Sequence, residues 1–186
     1  MSDTPIKRRQ PKVMRNKILE AAIEAIIDEG VDGLTLDEVA RRAQVSKGGL
    51  LHHYASKQVL QLSLYEHLLS DLENSIAEII DENPHSLARF SLAYFDVVCN
   101  PSAPEYDKKR GVFFALFAVQ PELAERWANW LKERMVEHAA TDDHAMARVL
   151  RLAADGLWAS NMIDGPDSET ENREAVTLFL KNLFRA

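Results

Sequence analysis

Cysteine is nearly absent from this chain. Cys99 stands alone, so no disulfide can form within it, a usage that suits a reducing, cytoplasmic setting. Long apolar runs are missing too: the longest, VFFALFAV from Val112 to Val119, falls far short of the roughly 18 residues that span a bilayer, so no membrane partner is expected. The basic stretch MSDTPIKRRQPKVMR has no apolar segment behind it and is not expected to act as a secretory signal. There is no Gly-rich phosphate loop, no HExxH, no Cys/His metal spacing and no nucleophile elbow. A non-enzymatic protein needing no cofactor and no metal is expected. Strand-like alternation persists nowhere, and no internal repeat is found.

What is present is ordinary in amount and uneven in place. The 186 residues are 46% hydrophobic and 27% charged, normal for a folded soluble chain and enough for one good core or a small module on a larger body. The net charge of −7 would argue against a nucleic-acid partner if it were uniform. It is not: residues 1–61 hold ten Lys/Arg against eight Asp/Glu, and the remainder twelve against twenty-one. Such asymmetry reads either as divided labour between two parts of a chain or as one stretch that is merely more acidic.

Pattern and punctuation predict helices from end to end. Ile18, Ala22 and Ile26 recur at four-residue steps in a helix from about Pro11 to Glu29, and Gly30 stands where a C-terminal cap belongs. After the turn VDG, Thr35 and Glu38 form a capping box opening a short helix to about Arg42. Ser46 caps another short helix, and Ser56 a long one to about Asn83, about 40 Å at 1.5 Å per residue. Further helices are expected near 85–99, 104–119, 121–140, 143–163 and 169–185, about nine in all. Asp142 and Asp143 are expected to cap the helix that follows them.

The first three helices, the last two short and tightly joined, have the spacing of a helix-turn-helix, with Val39, Ala40, Ala43, Val45 and Leu50 as its small core. In that motif the second short helix enters the major groove. The pair Gly48–Gly49 in this helix costs about 1 kcal/mol per residue relative to alanine, yet a residue without Cβ lets backbone approach a neighbouring surface closely. Beside it stand Lys47, His52, His53 and Lys57, all able to donate to phosphate. Lys57 also opens the long helix, whose N-terminus favours an anion.

The segment GLTLDEVARRAQVSKGGLLHHYASKQVL resembles the DNA-binding domain of the TetR (tetracycline-repressor) family of bacterial transcriptional regulators, over about Val13 to Leu69. The resemblance implies an all-α fold: a helix-turn-helix domain over 1–55, then a helical ligand-binding and dimerisation domain over 56–186, with helix 56–83 as connector. It implies phosphate contacts from Thr35, His52, His53 and Lys57, and base or groove contacts from Lys47, Gly48 and Gly49, with Ser46 heading the same helix. Three positions depart from the family pattern. Leu51 stands where tyrosine is usual and would meet a thymine methyl instead. Gln44 stands where glycine is frequent, costing about 1–2 kcal/mol if left-handed. Gly49 replaces a side chain that reads bases, shifting readout toward DNA shape. The stretch KRRQPK, Lys7 to Lys12, reads either as a minor-groove arm or as a solvated tail.

In the C-terminal part, aromatics concentrate between Tyr94 and Trp130. They read either as core or as the wall of a cavity for an apolar or aromatic effector, with Tyr94, Phe113, Phe117, Trp127 and Trp158 as lining candidates. Asn161, Asp96 and Gln120 are the candidate polar anchors. Met146, Val149, Leu150, Ala153 and Leu157 lie along one broad apolar face, and Val176, Phe179, Leu180, Leu183 and Phe184 along another. Two such faces suit a four-helix homodimer interface; they could equally pack inward. The expected function is a dimeric repressor of a near-palindromic operator, released by a small-molecule effector. The competing reading is a helical interaction module or enzyme, which would show no salt-dependent DNA affinity.

Overall fold

The computed structural model describes residues 6–82, 87–99, 104–164 and 170–185, with side chains described from residue 12 to 160 apart from 83–86, 100–108 and 118, and from 175 to 183 apart from 181. Ten α-helices and no strands occur among the described residues. They are α1 (Ile6–Gly33), α2 (Leu36–Arg42), α3 (Lys47–His53), α4 (Lys57–Glu82), α5 (Arg89–Val98), α6 (Pro104–Val119), α7 (Pro121–Glu137), α8 (Ala139–Asp142), α9 (Ala145–Asp164) and α10 (Thr170–Arg185). The chain divides into two compact units: residues 1–70 with 104–125, and residues 71–103 with 126–186. The basic stretch at Lys7–Lys12 falls within α1, but its side chains before Lys12 lie outside the described residues.

In the first unit, α1 packs against α2 and α6. The expected stripe of Ile18, Ala22 and Ile26 is buried. Gly30 interrupts α1 as anticipated, with φ 73° and ψ −176°, a region that essentially only glycine enters. The chain then makes one more helical turn to Gly33, where a Cβ would stand 2.3 Å from that of Glu29. Two positions near this helix end therefore require glycine, one for its dihedrals and one for space. Tyr54 closes the unit's core: it is fully buried, its hydroxyl donates to the Arg15 carbonyl at 3.4 Å, and the Arg15 guanidinium lies 5.1 Å from its ring centre. Burial raises the Tyr54 phenol above its ordinary value.

In the second unit, α5 is buried over Phe90, Ser91, Ala93, Tyr94, Phe95, Val97 and Val98, and packs against α8 and α9. Arg89, Leu92 and Asp96, at i, i+3 and i+7, form its one partly exposed stripe; so wide a buried face suits a helix held within a bundle. Its N-terminus opens with Ala88, left-handed at φ 56° and unable to cap it. Asp142 supplies the missing acceptor from another helix, taking hydrogen bonds from Phe90 N (3.2 Å) and Ser91 N (2.8 Å). The expectation that Asp142 and Asp143 cap the following helix is thus corrected. His144 does so instead, its Nδ1 accepting from Ala147 N at 3.2 Å. The ring Nε2, 3.1 Å from the Thr141 carbonyl, then carries the proton.

The two terminal helices each carry an inward and an outward apolar stripe. Leu150 and Leu180, assigned from sequence to the broad faces, pack inward. Met146, Val149 and Leu152 on α9 are exposed, as are Val176, Leu178, Phe179 and Leu183 on α10. Phe184 lies outside the described side chains. No helix of the described residues is long and apolar enough to cross a membrane.

Candidate nucleic-acid interface

The pair α2–α3 is built by its caps. The Thr35 hydroxyl accepts from Glu38 N at 3.2 Å, opening α2. The helix closes with Val45 N donating to the Ala40 carbonyl at 3.0 Å and Gln44 N to that of Arg41 at 3.2 Å. This is the double closure that places the residue after the cap in left-handed conformation, and Gln44 adopts it at φ 53°. The Ser46 hydroxyl then accepts from Gly49 N at 3.0 Å and starts α3. Val39, Ala40, Ala43 and Leu50 are buried between the two helices, as the spacing predicts; Val45 is only half-buried.

With Leu50 turned inward, α3 presents Lys47, Gly48, Gly49, Leu51 and His52 to solvent, and His53 is partly exposed. The His52 and His53 rings meet edge-on at 5.6 Å. A Cβ placed on Gly48 would meet no neighbouring group within 4 Å. Nothing in the protein's own packing therefore requires a glycine there. At Gly49 a Cβ would come within 3.1 Å of the capping Ser46 oxygen.

The basic residues nearby are not equally free. Arg42 spends its whole guanidinium on carboxylates: Nη1 on Asp28 (2.5 Å), Nη2 on Glu29 (2.7 Å) and Nε on Glu38 (2.6 Å). It fastens the end of α1 to α2. Arg41 Nε also donates to Glu38, at 2.8 Å. Hydrogen bonds from Arg41, then Arg42, hold the Glu38 carboxyl down at about 2. The hydrogen bonds that Arg42 donates to Asp28 and Glu38 raise it further above its usual range. Lys57 Nζ stands 3.4 Å from the Val31 carbonyl, and Lys47 Nζ pairs with Asp37 at 2.9 Å. The Arg42 clasp escapes sequence reading because its carboxylates lie up to 14 positions away.

The effector candidates are drawn from both units. In the first, Phe113 and Phe117 gather on Tyr65, at ring separations of 4.9 and 6.0 Å, while Gln120 is paired with the buried Gln61. In the second, Tyr94 lies 6.4 Å from Trp127, and Trp158 is buried. The Asn161 side chain lies outside the described residues. The Tyr94 hydroxyl donates to Asp155 at 2.5 Å, a carboxyl that burial pushes up and that the sequence reading did not single out. The second unit also holds a cavity of about 170 Å³ whose lining includes Glu73, Ile80, Phe90, Trp130, Arg134 and His138. Burial lowers the His138 imidazole. None of the effector candidates with described side chains lines this cavity.

Two short capped helices with a bare, polar face on the second define a helix-turn-helix DNA-binding module, here joined to a larger helical body. Family models match both parts: residues 18–64 as bacterial regulatory proteins, tetR family, and residues 88–185 as the tetracyclin repressor-like C-terminal domain. The chain belongs to the TetR family and is a DNA-binding transcriptional regulator rather than an enzyme. It is 26% identical over 173 residues to the HTH-type transcriptional regulator BetI of Pseudomonas aeruginosa (strain LESB58), covering 86% of each chain. To the HTH-type transcriptional activator FasR of Mycolicibacterium smegmatis it is 29% identical over 115 residues, 59% of this chain and 50% of that one. Among solved structures, the multidrug binding protein EbrR complexed with malachite green superposes with a TM-score of 0.69 at 20% identity, covering 91% of this chain and 97% of that one. A TetR-family member from Streptomyces coelicolor A3 gives 0.67 at 20% identity, covering 90% and 97%.

Proposed function

We propose that the protein is a cytoplasmic, homodimeric repressor whose α3 reads a near-palindromic operator and whose body releases DNA on binding an apolar or aromatic effector. Residues 1–55 serve as the DNA-binding domain and 56–186 as the effector and dimerisation domain, with the segment 56–83 carrying the response. The observation that carries the reading is the α3 face: Lys47, Gly48 and Gly49 are exposed, and Gly48 is a glycine that the fold itself does not require. Its backbone is kept bare for something outside the protein. Thr35, Ser46, His52, His53 and Lys57 flank it as phosphate partners. For Lys57 that role means leaving the Val31 carbonyl.

The exposed stripes of α9 and α10 support the dimer. Leu152, Leu178 and Phe179 are each more than 60% exposed, and such faces are normally covered by a second copy. A dimer places two α3 helices on half-sites one helical turn of DNA apart, about 34–36 Å, or a multiple of it. The effector class is supported in the second unit by Tyr94, Trp127 and Trp158 with the partly buried Asp155 carboxyl, in the first by Phe113 and Phe117, and by malachite green and ethidium held by EbrR.

The test is selection of genomic DNA fragments by the purified protein, eluted along a salt gradient and sequenced before and after unfolding and refolding to strip effector. Recovery of one near-palindromic site, with affinity falling steeply as salt rises, is the expected result. No enrichment by the refolded protein would overturn the reading. A reporter gene downstream of the recovered site should be silenced; stimulation would make the protein an activator.

A further inference from the structure

We infer that Asp37 is an internal competitor for the DNA-contacting Lys47 and sets how tightly the protein holds any duplex. The inference rests on the proposed contact between Lys47 and DNA. Asp37 lies in the first turn of α2 and Lys47 begins α3, ten positions later, and the turn between them brings Nζ to 2.9 Å from Oδ2. Both side chains are open to solvent, at 71% and 56% exposure, so the pair is not part of the packing. Neither side chain caps a helix or joins the clamp, although Asp37 also lends its charge to the first turn of α2. Thr35 and Ser46 cap the two helices, and Arg42 with Glu38, Asp28 and Glu29 clamps α2 to α1.

The chemistry of the pair is that of the contact it precedes. An ammonium held by one carboxylate oxygen is placed as it would be by one phosphate oxygen. Where the side chain extends into the groove, Lys47 exchanges Asp37 for phosphate, and the released carboxylate then faces a polyanion with its charge uncompensated. Asp37 therefore opposes binding twice, by occupying the lysine and by repelling the duplex. Phosphates are common to all DNA, so the penalty applies to every sequence. Only a site with added base or shape contacts overcomes it, and residence on random DNA is shortened.

A double-mutant cycle on a labelled duplex of arbitrary sequence, in low salt, separates the two effects. Asp37→Asn keeps the side chain's shape and should tighten binding. In a Lys47→Gln background the same change should tighten it less, by about 1.4- to 5-fold, the worth of one exposed ion pair. Equal gains in both backgrounds would leave the repulsion but overturn the competition. Weaker binding by Asp37→Asn would make Asp37 a residue that positions Lys47, and would also overturn it. If Lys47→Gln changes nothing in either background, Lys47 is not a DNA contact and the inference falls with that contact, while genomic selection still judges the regulator itself. Thermal melts of all four proteins check the fold: Asp37→Asn should lower Tm only slightly, through the lost first-turn charge on α2, and a folded variant keeps the cycle interpretable.

Discussion

Replacing Gly48 by alanine should make the protein more stable and a poorer DNA binder at once. Gly48 lies inside α3 with no positive φ, and a Cβ there meets no neighbouring group within 4 Å. Alanine therefore recovers helix propensity without strain, about 0.5–1 kcal/mol. In a chain of 186 residues that should raise Tm by about 1–4 °C. If the bare backbone touches the duplex, the added methyl forces the helix away from a close-fitting surface. By the cost of overpacking, about 1–3 kcal/mol, operator affinity should fall about 5- to 150-fold. Circular-dichroism melts and fluorescence anisotropy on the selected operator measure the two quantities on one preparation. A stabilised variant with unchanged affinity would show that Gly48 does not approach DNA. A destabilised one would show that α3 is not the helix described. Gly49 provides the contrast: alanine there presses on the Ser46 cap at 3.1 Å, so its propensity gain is offset and Tm should hardly move.

Three further outcomes follow from the packing. Gln44→Gly removes a left-handed side chain at φ 53° and should stabilise the protein by about 1 kcal/mol, read as a higher melting temperature; a lower one refutes the strain. Asp142→Ala strips the buried N–H groups of Phe90 and Ser91 of their acceptor and removes one of the two carboxylates, with Asp155, that face the largely covered Arg151. It should cost about 1–3 kcal/mol in urea unfolding, and no loss would refute the cap. The Glu38 carboxyl is depressed from 4.5 to about 2 on folding. Its stabilisation is therefore complete above about pH 4.5 and lost as pH falls through about 2. Over that window the wild type should lose stability faster than Glu38→Gln, and parallel curves would refute the Arg41–Glu38–Arg42 cluster.

Much of the DNA-binding part was legible because its determinants are local. Thr35 and Ser46 reach amides three positions on. Gln44, where glycine is frequent, announces left-handed strain and takes that conformation; Gly30 announces a break and has positive φ, but with ψ −176° and one more helical turn beyond it. What escaped was non-local. No helical period reveals that Asp142 caps a helix 51 residues upstream, and reading it as a local cap was the natural error. Nor does periodicity separate 121–140 into α7 and α8, because the break at His138 carries neither proline nor glycine. The aromatics were legible as apolar mass, but grouping Phe113 and Phe117 on Tyr65, and Tyr94 with Trp127, depends on helix crossings that sequence spacing does not encode. For the broad faces of the last two helices the sequence left inward packing and a dimer seam open; Leu150 and Leu180 pack inward while their neighbours stay exposed, because a stripe wide enough for one contact is wide enough for two.

The cap of α5 by Asp142 also has a consequence during synthesis. The helix leaves the ribosome 51 residues before the carboxylate that closes it. At about 5–20 residues per second, that is a delay of about 3–10 s. Through that interval a segment with seven of its ten residues destined for burial is uncapped and without its later packing partners α8 and α9. Its apolar face is open to aggregation for that long, which gives a chaperone something to protect.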